Sequence, residues 1–121
     1  MTDDTAEILV VEDDDNVRDA LAALLEAKGY RVIGAENGRT ALDCLQHATV
    51  HLILLDLFMP VMNGWAFREE QVKDERLATI PVVVISADSA AAAFAVSPGV
   101  VAVMTKPVEF NQLLNVVEQH C

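Results

Sequence analysis

Four short apolar runs in this 121-residue sequence lead into residues that can do chemistry. Ile8-Leu9-Val10-Val11 runs into Glu12 and Asp13, and Leu52-Ile53-Leu54-Leu55 into Asp56. Val82-Val83-Val84-Ile85 ends at Ser86 with Ala87 behind it, and the run Val100 to Met104 is followed, one residue on, by Lys106. Brought to one place, these side chains supply three carboxylates, a hydroxyl and an ammonium. Carboxylates crowded together repel one another and raise one another's pKa unless a cation intervenes. Hard oxygen ligands, few in number and with room left for water, suit Mg²⁺. A carboxylate beside such an ion, with a hydroxyl and a lysine at hand, is equipped to accept a phosphoryl group. That transfer depends on in-line positioning and on neutralising the phosphoryl oxygens, and a carboxylate nucleophile gives an acyl phosphate. The residue types leave open which carboxylate attacks.

The elements that must position these residues are legible in the hydrophobic period. A continuous apolar run ending in acids suits a strand buried on both faces. After the first run the period changes. Val17, Ala20, Leu21, Leu24 and Leu25 follow helical spacing behind the capping candidates Asp14 and Asp15, and Gly29 closes the segment. Tyr30 to Ala35 predicts a second strand. Thr40, Ala41, Leu42 and Leu45 mark a second helix beyond Gly38, and the turn-rich Met59 to Gly64 leads to a third from about Trp65 to Val72. An Ala-rich segment, Ser89 to Val96, predicts a marginal fourth helix broken by Pro98-Gly99. Beyond Lys106-Pro107, Phe110, Leu113, Leu114 and Val117 share one face of a last helix. Strands alternating with helices through short connections predict a parallel α/β sheet. Ligands of such sheets sit outside the carboxyl ends of the strands, near a switch point in strand order. The second strand ends in nothing reactive, which fits a sheet edge.

Composition sets the class. A chain of this length suits one core, and 53% hydrophobic residues supply it and exclude disorder. The acids outnumber the bases 19 to 8, a formal net charge of −11, which argues against a nucleic-acid surface. No apolar run approaches the roughly 18 residues that read as a membrane span, and Met1-Thr2-Asp3-Asp4 lacks the basic start of a signal peptide. A soluble cytoplasmic protein without membrane contact is expected. Cys44 and Cys121 make no disulfide framework and are expected as reduced thiols. His47, His51, His120 and Trp65 fit packing or surface roles.

Taken in order and spacing, the segments Ile8 to Asp14, Leu54 to Gly64, Val84-Ile85-Ser86-Ala87 and Thr105-Lys106-Pro107 resemble the receiver domain of two-component response regulators, of the chemotaxis-receiver type, over essentially the whole length. The resemblance implies a flavodoxin-like, doubly wound sheet of five parallel strands in the order 2-1-3-4-5, flanked by five helices. It implies a single receiver domain over 1–121, structured over about 7–119. It implies that Asp56 is the phosphoacceptor, fed by a phosphohistidine on a sensor histidine kinase or histidine phosphotransferase docked at the first helix, near Asn16, Val17 and Ala20. Glu12, Asp13, Asp56 and the carbonyl of Phe58 would hold Mg²⁺. Ser86, the Ala87 N–H and Lys106 would hold the phosphoryl oxygens, and the Lys106-Pro107 peptide would be cis. Such a chain is not an enzyme in the ordinary sense. It catalyses its own phosphorylation and slow autodephosphorylation, and signals to a downstream protein or a fused output domain.

Departures from the family pattern are informative. Receivers usually carry an aromatic residue three positions before the lysine, and Val103 stands there. Valine has no ring to swing inward, so a signal to the output face would be carried by backbone movement instead. Phe58, two residues after the acceptor, should hinder an attacking water, whereas Asp88, two after the serine, would orient one. Two other readings compete. Asp13-Asp14-Asp15-Asn16-Val17 after a strand resembles the first motif of haloacid-dehalogenase-like phosphatases, which would make Asp13 the nucleophile, but that family needs an acidic pair beyond the lysine, where only Glu109 and Glu118 stand. A receiver-like interaction module that is never phosphorylated usually lacks the acceptor, the acid pair or the lysine, and all are present here.

Overall fold

Successive side chains of a strand point to opposite faces of its sheet, and the apolar runs use both. The computed structural model describes residues 6–87 and 98–121. In it, Ile8 and Val10 of β1 (Glu7–Val11) share a buried layer with Leu52 and Leu54 of β3 (Leu52–Asp56) and with Val83 and Ile85 of β4 (Val82–Ser86). Leu9, Val11, Ile53, Leu55, Val82 and Val84 line the opposite layer. These three strands are central, with β2 (Arg31–Ala35) and β5 (Val100–Thr105) at the edges. The order is β2-β1-β3-β4-β5 and every pairing is parallel.

Helices cover both layers. α1 (Asp15–Ala27) and α5 (Phe110–His120) seal the first with Leu21, Leu25, Leu113, Leu114 and Val117. α2 (Gly38–Leu45) and α3 (Gly64–Lys73) seal the second with Ala41, Leu45 and Phe67, and the short α4 (Glu75–Ala78) adds Leu77. The chain therefore has the doubly wound sheet and the strand order expected of it, with the second strand at an edge. The switch in order falls between β1 and β3, where the first two reactive runs end.

Each helix start is fixed by a side chain that accepts orphan backbone N–H groups, an interaction worth about 1 kcal/mol. Asp14 accepts from Asn16 and Val17 at 2.9 and 3.1 Å, so Asp14 is the cap of α1 and Asp15 its first residue. Asn37, Asn63, Asp74 and Glu109 do the same for α2 to α5. Two features differ from expectation. α4 has only four residues, too few for a periodic pattern, and its start is visible only in the cap at Asp74. Phe110 does not join Leu113, Leu114 and Val117 in the core: as the first residue of α5 it is 46% exposed. The helix expected over Ser89 to Val96, like Asp88, Asp3 and Asp4, lies outside the described residues.

Gly64 joins fold to site. Its N–H donates to the Leu57 carbonyl at 2.9 Å, and a Cβ there would stand 2.6 Å from the Asp56 carbonyl oxygen and 2.8 Å from Leu57 Cα. Neither backbone atom can give way without moving the end of β3. Gly64→Ala is therefore expected to lower stability by about 1–3 kcal/mol, read as a fall in the urea midpoint. An unchanged midpoint would show that the loop relaxes without strain.

Candidate functional site

Pairing at the carboxyl end of β1 continues one residue past the strand, with the Glu12 N–H donating to the Ala35 carbonyl at 2.9 Å. That bond turns the Glu12 side chain inward, where it is only 3% exposed. Its Oε2 accepts the Asp14 N–H at 3.1 Å and its Oε1 accepts from Lys106 Nζ at 2.7 Å. Asp56, the last residue of β3 and equally buried, accepts the same ammonium on Oδ2 at 3.1 Å and the Phe58 N–H on Oδ1 at 3.2 Å. Lys106 thus bridges two strands. Asp13 is exposed beside them, and Glu12, Asp13 and Asp56 each offer an oxygen within 4.8 Å of the others.

The charges explain the arrangement. Ionised, the three acids carry three negative charges, and Lys106 neutralises one. The remainder matches a divalent cation, and carboxylate oxygens beside open solvent are the donors that Mg²⁺ takes. The Asp13 carboxyl is held above its ordinary value by partial desolvation, then by a hydrogen bond with Glu12 and by that residue's like charge. Because Asp13 faces solvent, the charge of Glu12 is the part a cation relieves. For Lys106, burial pushes the ammonium pKa down, but the hydrogen bonds and charges of Glu12 and Asp56 together outweigh it and leave it raised.

Ser86 and Ala87 stand on the β4 side. Ser86 is fully buried at the end of β4, its carbonyl accepts the Lys106 N–H at 3.0 Å, and Ala87 follows it on the surface. The Lys106-Pro107 peptide is cis. Phe58 is half exposed, and its ring meets Trp65 edge-on with centroids 5.1 Å apart, which gives Trp65 a contact at the site. Val103 packs against the core layer beneath α2 and α3. Asp88 lies outside the described residues. One participant went unnoticed in the sequence. Arg18 of α1 donates from a guanidinium nitrogen to the Glu12 carbonyl at 2.7 Å and pairs with Asp15. Its only mark in the sequence is as the first base after a run of acids.

The bridge makes a pH-dependent contribution. A lysine whose folded pKa is raised stabilises the fold fully below its ordinary value of 10.5 and loses that contribution as pH rises through the folded value. Lys106→Met is expected to cost about 2 kcal/mol in urea unfolding, by an amount constant around neutrality. On the alkaline side, the gap between variant and wild type should narrow only in strong alkali. A gap that narrows near neutral pH would contradict this assignment.

Comparisons with known proteins agree with the geometry. The family model of the response regulator receiver domain matches residues 8–118. The rice two-component response regulator-like protein PRR73 is 36% identical over 115 residues, which are 92% of this chain but only 15% of that protein, so the chain spans a small part of that relative's length. PilH of Pseudomonas aeruginosa is 29% identical over 93% of this chain and 94% of its own. Among solved structures, the response regulator TrrA of Thermotoga maritima in complex with Mg(2+)-BeF superposes with a TM-score of 0.85 at 27% identity, covering 97% of this chain and all of that one. The strand order, the carboxylates at the ends of β1 and β3, and the match over residues 8–118 agree: the chain belongs to the receiver domains of two-component response regulators.

Proposed function

We propose that Asp56 is the phosphoacceptor of this receiver, and that the chain acts by taking a phosphoryl group from a phosphohistidine of a sensor histidine kinase or histidine phosphotransferase. The observation that carries this reading is the place of Asp56 between the two halves of the site. β3 lies between β1 and β4, so Asp56 has Glu12 and Asp13 on one side and Ser86 on the other, with Lys106 at 3.1 Å from its Oδ2. Glu12 is a poorer candidate because β3 lies between the end of β1 and Ser86, so Glu12 faces only one half of the site. Asp13, the nucleophile of the phosphatase reading, has no bond to Lys106 among the described residues.

In the reaction an Asp56 carboxylate oxygen attacks phosphorus in line with the departing imidazole nitrogen. An O–P bond forms as the N–P bond breaks, the imidazole leaves, and the product is an acyl phosphate. Glu12, Asp13, Asp56 and the Phe58 carbonyl would hold Mg²⁺, which when bound supplies charge neutralisation for the phosphoryl oxygens. The Ser86 hydroxyl, the Ala87 N–H and the Lys106 ammonium receive those oxygens. Lys106 is already held at Asp56 by its ion pair, so little reorganisation precedes the transfer. The chain accelerates only its own modification. An apolar groove of about 480 Å³, lined by Val17, Ala20, Leu21, Val108 and Phe110 and bounded by Lys106 and Pro107, opens beside the site and suits docking of the phosphodonor at α1. The consequence of phosphorylation is a change in contacts with a downstream protein or a fused output domain. We take residues 1–121 as a single receiver domain, structured over about 7–119, acting in the cytoplasm; no described helix is long and apolar enough to cross a membrane.

Two measurements follow. With radiolabelled acetyl phosphate and Mg²⁺ the wild type should incorporate label, whereas Asp56→Asn and wild type in EDTA should not. Equal labelling of Asp56→Asn, or loss of label only in Asp13→Asn, would overturn the assignment. For lifetime, the Phe58 ring, anchored on Trp65, leaves an apolar side chain where a water would approach. Phe58→Asn is expected to shorten the phosphorylated half-life several-fold, and a lengthened half-life would refute the screening role.

A further inference from the structure

The Glu12 carbonyl oxygen belongs to the peptide that carries Asp13, so whatever holds that oxygen sets the plane from which Asp13 projects. The holder is Arg18. Its guanidinium donates to the Glu12 carbonyl at 2.7 Å, and its other terminal nitrogen pairs with Asp15 one turn back on α1. The side chain is 19% exposed, and its stem lies across β2 at Gly34, where an added Cβ would stand 3.2 Å from Arg18 Cδ. A glycine inside a strand often marks such a close approach. The neighbouring atoms leave Asp13 little else to fix it. Asp14 is committed to the α1 cap and, through its N–H, to Glu12 Oε2, and the Glu12 carboxylate that meets the Asp13 side chain bears a like charge.

We propose that Arg18 is a positioning residue of the metal site, which orients Asp13 through the Glu12–Asp13 peptide without touching the ion or the phosphoryl group. The inference rests on the reading of Glu12, Asp13 and Asp56 as metal ligands. Partners that orient ligands from outside the coordination shell typically change metal affinity 10- to 100-fold when removed. Arginine suits the task because its planar fork serves the carbonyl and Asp15 together.

Sign separates this role from the two simpler ones. As a bare positive charge near a cluster of acids, Arg18 would oppose a cation, and its removal would tighten Mg²⁺ binding. As a purely structural residue it would lower the melting temperature and leave Mg²⁺ affinity alone. The test is a calorimetric titration of the full chain with MgCl₂, for wild type, Arg18→Met and Arg18→Lys, with metal-free melting temperatures in parallel. Arg18→Met keeps the stem and loses every donor, and should weaken Mg²⁺ binding about tenfold. Arg18→Lys keeps one donor and should fall between. Binding by Arg18→Met as tight as wild type or tighter overturns the inference, whatever its melting temperature; should that variant fail to fold, undiminished affinity in Arg18→Lys overturns it equally. A wild type that binds no Mg²⁺ overturns the metal reading itself, and is told apart because it needs no variant.

Discussion

Repulsion among Glu12, Asp13 and Asp56 is the constraint on which the rest of this site depends. A fold that gathers three carboxylates at one edge of a sheet must compensate them, and here the compensation is divided. Lys106 spans Glu12 and Asp56 across 2.7 and 3.1 Å and holds two strand ends together. Asp13 is left outside that bridge, exposed and with its carboxyl pKa raised, where a divalent cation can meet it. The protein's own cation thus assembles the site and leaves uncompensated the charge that a metal neutralises. The remaining acids of this acidic chain have other duties, such as Asp14 and Asp74 as caps and Glu70 paired with Lys73 on the surface.

The sheet order turns a linear sequence into that site. Because β2 moves to the edge, β1 and β3 become neighbours and bring Glu12 and Asp56 together from 44 residues apart in the chain, while β4 and β5 deliver Ser86 and Lys106 from the other side. Backbone contacts fix the strand ends. The Gly64 N–H holds the Leu57 carbonyl just past β3, the Lys106 N–H ties the end of β5 to Ser86, and the Gly38 N–H ties α2 to the Met62 carbonyl in the loop after Asp56. Val61 in that loop has φ of +66°, a costly region for a β-branched residue, so the loop's shape is imposed by its surroundings.

Much of this was legible in the residues. Runs buried on both faces are continuously apolar, so strands β1, β3 and β4 and the acids or hydroxyl ending them stand out, and the family pattern orders them. What escaped has a physical reason in each case. Arg18 acts on a backbone carbonyl, and no side-chain pattern encodes the position of a carbonyl. The buried Arg68 bonds to Gln71 and to the Pro98 carbonyl, while Gln71 holds the Leu77 and Ile80 carbonyls, a polar network whose partners are again mostly backbone. Phe110 has the spacing of a core residue, but it sits at the first turn of α5, over the groove instead of beneath the helix. Val103, partly buried, packs against the core as a small aliphatic residue, so a signal relayed by a swinging ring has no vehicle at that position.

The decisive property of this site is which carboxylate carries the phosphoryl group. Borohydride reduction of the phosphorylated chain converts an aspartyl phosphate to homoserine, a change that peptide mass spectrometry assigns to one residue. Homoserine is expected at position 56 and nowhere else. Homoserine at position 13, or a modified chain with position 56 intact, would contradict that assignment.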